Sequence, residues 1–127
     1  MKDLFAKLLV LAQKRIKYFV SSKDAWYQGS KWFWEEIQKE LQEAQDEYEA
    51  GNSVCLEDEL GDVLRDYLCL LYSLEAEGKI QNTKNVLARA YDKFSQRVDS
   101  KTWADKGDWK QIKQKQKQKL QDECYGN

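Results

Sequence analysis

The chain has 127 residues, of which 42% are apolar, including five Trp, seven Tyr and four Phe; this suffices for one domain with a real core. Its formal net charge of -1 gives no general attraction to nucleic acid or to a membrane surface, and no run of about 20 apolar residues is present to span a bilayer. Histidine is absent, which excludes Ser-His-Asp and Cys-His nucleophile systems, the usual zinc sites and Glu-x-x-His di-iron bundles, and leaves any metal on oxygen ligands as Mg²⁺, Mn²⁺ or Ca²⁺.

The first segment, KDLFAKLLVLAQKRIKYFV, has its apolar run interrupted by lysines and an arginine, and no small-residue cleavage site follows. It reads as a helix over about 3–20, with Leu4, Leu8, Leu11 and Phe19 among its apolar positions, and the chain as cytoplasmic. Ser21, Ser22 and Gly29 mark a loop, and Ser30 is the expected N-cap of a second helix over 31–50. Gly51-Asn52-Ser53 ends that helix, with Gly51 suited to the left-handed C-cap position. A third helix is expected over 55–77, stopping at Gly78, and a fourth over 84–99, capped by Asn82 or Thr83. After a loop with Trp103 and Gly107, a fifth begins near 108 and runs into KQIKQKQKQK. The three cysteines, Cys55, Cys69 and Cys124, have no Cys-x-x-Cys spacing and read as reduced thiols. No proline or linker interrupts the periodicity, so the fold class is all-α: a bundle of about five helices in one domain, with a central antiparallel pair.

That central pair carries an unusual charge pattern. At 100° per residue, Phe33, Ile37, Leu41, Ala44 and Tyr48 share an apolar sector, and Glu36, Glu40, Glu43 and Glu47 lie in a narrow sector beside it. The next helix repeats the design, with Leu56, Leu60, Val63, Leu64, Tyr67, Leu71 and Leu74 on its core face and Glu59, Asp62 and Asp66 along one flank. Two readings are open: ordinary solvated flanks, or a cation site. Like charges at i,i+3 and i,i+4 destabilise a helix by about 0.2–0.5 kcal/mol per pair, and a chain seeking only solubility would alternate Glu with Lys. A divalent cation would reverse the sign of that penalty.

Glu40-Leu-Gln-Glu43 and Glu59-Leu-Gly-Asp62, the latter within an ELGD string, resemble the paired acid motifs of the MazG-type all-α nucleoside triphosphate pyrophosphohydrolases. LARAYDKFSQR (87–97) is similar to that family's basic helix, with Lys93, Phe94 and Arg97 as its KFxxR core. WKQIKQKQK (109–117) is similar to its closing Trp-x-x-Ile-Lys segment. The acid motifs alone are short, but the three elements in this order are far more specific. Lys39 stands where family members often carry a second acid, Tyr91 where they often carry Asn, and DAWYQGSKW keeps little of the loop before the second helix. These departures leave the base specificity open and admit the related all-α dUTPases.

The resemblance implies a helical fold completed by dimerisation, as a homodimer or homotetramer, with no nucleic-acid or membrane partner. It implies Mg²⁺-dependent cleavage of a nucleoside triphosphate to the monophosphate and pyrophosphate, Mn²⁺ being a possible substitute, and clearance of aberrant nucleotides as a role. Glu40, Glu43, Glu59 and Asp62 would be the metal ligands. Glu36, Glu47 and Asp66 are candidates to orient or deprotonate the water, with Glu36 and Asp66 preferred. Lys93 and Arg97, four apart on one helix face, would clamp phosphates, and Trp32 or Trp34 would stack on the base, with Phe33 and Trp26 as further local aromatics. Lys113 and Lys117 would reach a neighbouring subunit's site. The alternatives are a dUTPase, a phosphoribosyl-ATP pyrophosphohydrolase, or a non-catalytic helical interaction module.

Overall fold

The computed structural model describes residues 1–22, 26–98 and 106–126, with side chains for all of these except 106–108. Trp103, expected in a loop, lies outside the described residues, whereas Gly107, expected in the same loop, falls within the first turn of the fifth helix, which begins at Lys106 rather than near 108. Among the described residues there are five helices and no strand: α1 (Lys2–Ser22), α2 (Ser30–Ala50), α3 (Ser53–Ala76), α4 (Thr83–Val98) and α5 (Lys106–Tyr125). No helix among them is long and apolar enough to cross a membrane. The chain divides into two compact units, Met1–Thr83 and Lys84–Asn127.

In the first unit α3 is the central helix, packed against both α1 and α2. Its buried residues, Asp66, Leu68, Cys69, Leu70, Leu71 and Ser73, therefore go all round the helix rather than along one stripe. Single-face periodicity does not anticipate this. Of the expected core face, Leu71 is buried, but Leu60, Leu64 and Tyr67 are 50%, 37% and 41% exposed. On α2, Phe33 and Ala44 are buried as expected, whereas Leu41 and Tyr48 are exposed. On α1 only the C-terminal half is covered, through Ala12, Ile16 and Phe19, while Leu4, Leu8 and Leu11 stay exposed. The sequence stripes are real in each case, but within one chain only part of each stripe meets a partner.

Aromatic packing closes one end of this unit. The Phe19 ring stacks on Tyr27 with centroids 5.2 Å apart and meets Trp26 edge-on at 4.6 Å. Trp32 stands edge-on to both Trp26 and Phe33, at 5.9 and 5.1 Å. Such pairs contribute about 0.5–1.5 kcal/mol each beyond their buried area. Tyr27 and Ser73 hydroxyls hydrogen-bond at 2.7 Å, and burial pushes the Tyr27 phenol above its ordinary pKa.

The helix starts differ from expectation in an informative way. Ser30 is not the N-cap of α2 but its first residue; Gly29 occupies the cap position and makes no side-chain cap bond. The carboxylate of Glu77, arriving from the end of α3, accepts from the Ser30 N–H at 2.6 Å and from its hydroxyl at 2.7 Å. An anion at a helix N-terminus satisfies free N–H groups and the helix dipole together. Gly29 has φ +71, which favours glycine, and a Cβ there would lie 2.6 Å from Glu77 Oε1 and so push that carboxylate off Ser30. Glu75 does the same for α4, accepting from the Thr83 N–H at 2.6 Å. We expect Glu77→Ala to lower stability by about 1–2 kcal/mol. Thermal denaturation of the variant beside Glu57→Ala, an exposed acid on α3, checks this.

In the second unit, α4 and α5 are joined by polar side chains. Arg89 forms a forked pair with Glu123, at 2.5 and 3.3 Å, and Arg97 Nε donates to Gln116 Oε1 at 2.9 Å.

Candidate metal centre

A two-residue link places the acidic stripes side by side. Gly51 adopts the left-handed conformation (φ 75, ψ 21), as its position after α2 requires, and its N–H returns to Tyr48 O at 3.2 Å. Asn52 then caps α3, its Oδ1 accepting from the Cys55 N–H at 3.1 Å. So tight a connection makes α2 and α3 antiparallel neighbours. The flank of one carrying Glu36, Glu40 and Glu43 meets the flank of the other carrying Glu59, Asp62 and Asp66.

Three overlapping groups of carboxylates result, each with ligand oxygens within 4.8 Å of one another: Glu40, Glu43 and Glu59; Asp58, Glu59 and Asp62; and Glu36, Glu40 and Asp66. Glu59 links the first two, so the four acids expected as ligands form one continuous set. Asp58 was not anticipated, although its place four residues before Asp62 puts it on the same side of α3. Glu47 belongs to none of the three groups.

The electrostatics follow from crowding at low exposure. Glu40 is only 9% exposed, and burial first, then contact with the Glu59 carboxyl and the charges of Glu43 and Asp62, push it up to about 7 from an ordinary 4.5. Burial and the Glu43 and Asp62 charges also raise Glu59, although its contact with Glu40 acts the other way. Glu40 Oε2 and Glu59 Oε2 are buried without a hydrogen-bond partner. A buried oxygen left so costs about 1–3 kcal/mol or more. The donor set is wholly carboxylate oxygen, the chemistry that suits a hard divalent cation such as Mg²⁺ or Mn²⁺. The residues therefore fit such an ion.

One arginine sits inside this ring of acids, a feature absent from the sequence reading. Arg65 Nη1 meets Asp62 Oδ1 at 3.1 Å, its Nε meets Asp66 Oδ1 at 3.1 Å, and its Nη2 lies 4.0 Å from Glu40 Oε1. Burial works against the charge, but these carboxylates hold the guanidinium above its ordinary pKa. Lys39, which stands where the family often carries an acid, pairs with Glu36 at 3.2 Å from a largely exposed position. On α1, Arg15 lies over the Phe19 and Phe33 rings and donates to Cys69 Sγ at 3.9 Å; burial pushes that thiol's pKa up.

The remaining expected residues fall into two places. Trp32 is half-buried in the aromatic cluster, one turn before Glu36 on the same side of α2, whereas Trp34 is 52% exposed and turned away from the acidic flank. Lys93 and Arg97 lie in the second unit, where with Lys110, Lys113 and Lys117 they line a cavity of about 530 Å³. Gln116 organises that cavity: it accepts from Arg97 and donates to Lys93 O at 3.0 Å and to Gln96 Oε1 at 2.9 Å. The Arg97 guanidinium also lies 5.5 Å from the Trp109 ring centroid.

Residues 28–101 match the family model described as the MazG nucleotide pyrophosphohydrolase domain. The match takes in α2, α3 and the KFxxR segment but stops short of Trp109–Lys117. No curated protein and no solved structure matches the chain.

Proposed function

The chain belongs to the MazG nucleotide pyrophosphohydrolase family, and from that premise we propose that it is a Mg²⁺-dependent hydrolase converting a nucleoside triphosphate to the monophosphate and pyrophosphate. The observation that carries the reading is the α2–α3 carboxylate set with its two buried, partnerless oxygens on Glu40 and Glu59. A solvated flank would leave those oxygens in water.

Glu40, Glu43, Glu59 and Asp62 would hold the ion, with Asp58 at its margin. When bound, Mg²⁺ supplies charge neutralisation for the triphosphate oxygens and acidifies water. The chain's own part is positioning. Glu36 and Asp66, gathered round Glu40, help to orient the attacking water, and a carboxylate oxygen of the set left free of metal takes its proton. The water oxygen bonds to phosphorus on one side of the α,β-anhydride, the bond from that phosphorus to the bridging oxygen breaks, and the products are the monophosphate and pyrophosphate. Lys93 and Arg97, four apart on one face of α4, have the chemistry to bind phosphate, the arginine through its fork. Of the two tryptophans, Trp32 is the better placed to stack on the base, because it shares the side of α2 that carries Glu36. We assign the chain, by its family, a house-cleaning role on aberrant nucleotides in the cytoplasm.

We also propose that the active form is a homodimer or a dimer of dimers. Leu60, Leu64 and Tyr67 form an exposed i, i+4, i+7 row on α3, and Leu41 and Tyr48 are exposed seven residues apart on α2. A second copy would bury these rows. Leu64→Glu is expected to shift the sedimenting species to the monomer; an unchanged assembly would refute the role of this row.

Pyrophosphate release across a panel of standard, deoxy and damaged triphosphates, with Mg²⁺ or Mn²⁺, tests the enzymatic reading. At least one triphosphate should be cleaved, and Asp62→Asn should not cleave it. No turnover of any, or equal turnover by the variant, leaves a non-catalytic interaction module as the better account. Turnover confined to dUTP or to phosphoribosyl-ATP would reassign the substrate class.

A further inference from the structure

The acidic ladder does not end at the four expected ligands. Glu36 lies one turn before Glu40 on α2, and Asp66 lies one turn beyond Asp62 on α3. In antiparallel helices these two steps lead toward the same end of the hairpin. The result is a third rung in which oxygens of Glu36, Glu40 and Asp66 lie within 4.8 Å of one another.

The rung has features that crowding alone does not explain. Asp66 is fully buried, at 0% exposure, in the middle of the longest helix. Its Oδ1 is held by Arg65 Nε at 3.1 Å, yet its Oδ2 is buried with no hydrogen-bond partner among the described residues. Glu40 Oε2 is in the same condition. The nearby cations have their closest contacts elsewhere: Lys39 Nζ is on Glu36 Oε1, and Arg65 meets Asp62, Asp66 Oδ1 and the other oxygen of Glu40. Burial of an ionisable group without a partner is unfavourable, so the arrangement calls for a cationic occupant. Three carboxylates from two rigid helices, with no nitrogen or sulfur donor, select a small hard divalent ion.

We propose that Glu36, Glu40 and Asp66 form a second divalent-cation site, one helical turn along the hairpin from the Glu40–Glu43–Glu59 site, with Glu40 shared between the two. The sharing, though not the second site itself, rests on the metal-binding reading given above. Arg65 has a defined place in this arrangement: by anchoring Asp66 Oδ1 it leaves Oδ2 as the ligand.

The test is the number of ions bound, read without any turnover. Metal-free protein is titrated with Mn²⁺, and free ion is followed by electron paramagnetic resonance. The parent chain should bind two ions per chain. Asp66→Asn should bind one, Glu43→Gln should retain one, and the double variant none. Glu36→Gln, at a partly exposed position, provides the same test should Asp66→Asn not fold, and should weaken the second binding step at least about tenfold. Two ions in Asp66→Asn, together with an unweakened second binding step in Glu36→Gln, would overturn the proposal. One ion in the parent, retained in Asp66→Asn and lost in Glu43→Gln, would also overturn it while leaving the first site standing. No ion in the parent would remove both.

Discussion

Glu40→Gln is expected to lower pyrophosphate release at least about 100-fold and, in the same protein, to raise the melting temperature measured without metal. Loss of a group that merely supports a metal ligand typically costs 10–100-fold, and Glu40 sits at the intersection of two carboxylate groups, so about 100-fold is a lower bound. The stability gain has a separate origin. Glu40 is nearly buried among Glu43, Glu59 and Asp62, with one oxygen unpartnered. An amide removes a charge from that crowd and brings donors to the Glu59 carboxylate. A residue that destabilises its own fold while serving the reaction is the usual signature of a functional site. Scanning calorimetry with and without millimolar Mg²⁺ completes the test. The parent should melt higher with the ion and the variant should respond weakly, since only ligands of the native state raise its midpoint. A variant that melts lower without metal would show that Glu40 is a structural acid.

The second large effect is on pH. In the unfolded chain Glu40 titrates near its ordinary 4.5, whereas in the metal-free fold it titrates at about 7, and Glu59 is raised in the same direction. The folded state thus holds these protons more tightly than the unfolded state does. Stability of the metal-free protein should rise as pH falls from about 7 toward 4.5, and should be lost as pH rises through that window. Comparison of urea midpoints for the parent and Glu40→Gln in the presence of a chelator isolates this contribution, which should vanish in the variant. Divalent ions invert the dependence because they need the ionised form. Competition with a single proton at about 7 makes metal affinity about tenfold weaker at pH 6 than at pH 8. An affinity that does not change over that range would mean that Glu40 is not a ligand.

How much of this was legible in the sequence differs from element to element. Each helix appears where periodicity and its breakers put it, because Gly51 and Gly78 take positive φ and Asn52 caps with its own side chain. These are local effects, settled within a few residues. The acidic stripes were legible for the same reason, since i,i+3 and i,i+4 spacing fixes a helix face. What was not legible depends on contacts between residues far apart in the chain. Ser30 looked like an N-cap because the carboxylate that serves the helix start comes from Glu77, 47 residues later. Arg65 drew no reading from the sequence, because its role depends on reaching a carboxylate on α2 as well as two on its own helix. Leu60 and Leu64 looked like core because periodicity reports that a face is apolar, not which chain covers it.

The Glu77–Ser30 bond also bears on accuracy at a distance. The α2–α3 hairpin is joined covalently at Gly51-Asn52, and at its other end the Glu77 carboxylate grips the first turn of α2. The acids lie between these two fixed points, like marks on a beam supported at both ends. A slip of α2 along α3 by one turn, about 5.4 Å, would put every rung out of line, and the far support resists it together with the covalent link. Glu77 lies about 15 Å along α2 from Glu40, too far to touch an ion there. Yet loosening it should blur the spacing of the carboxylates before it unfolds anything. The grip at Ser30 thus serves as the calibration of the hairpin, and wear at that point would be read first in ion selectivity.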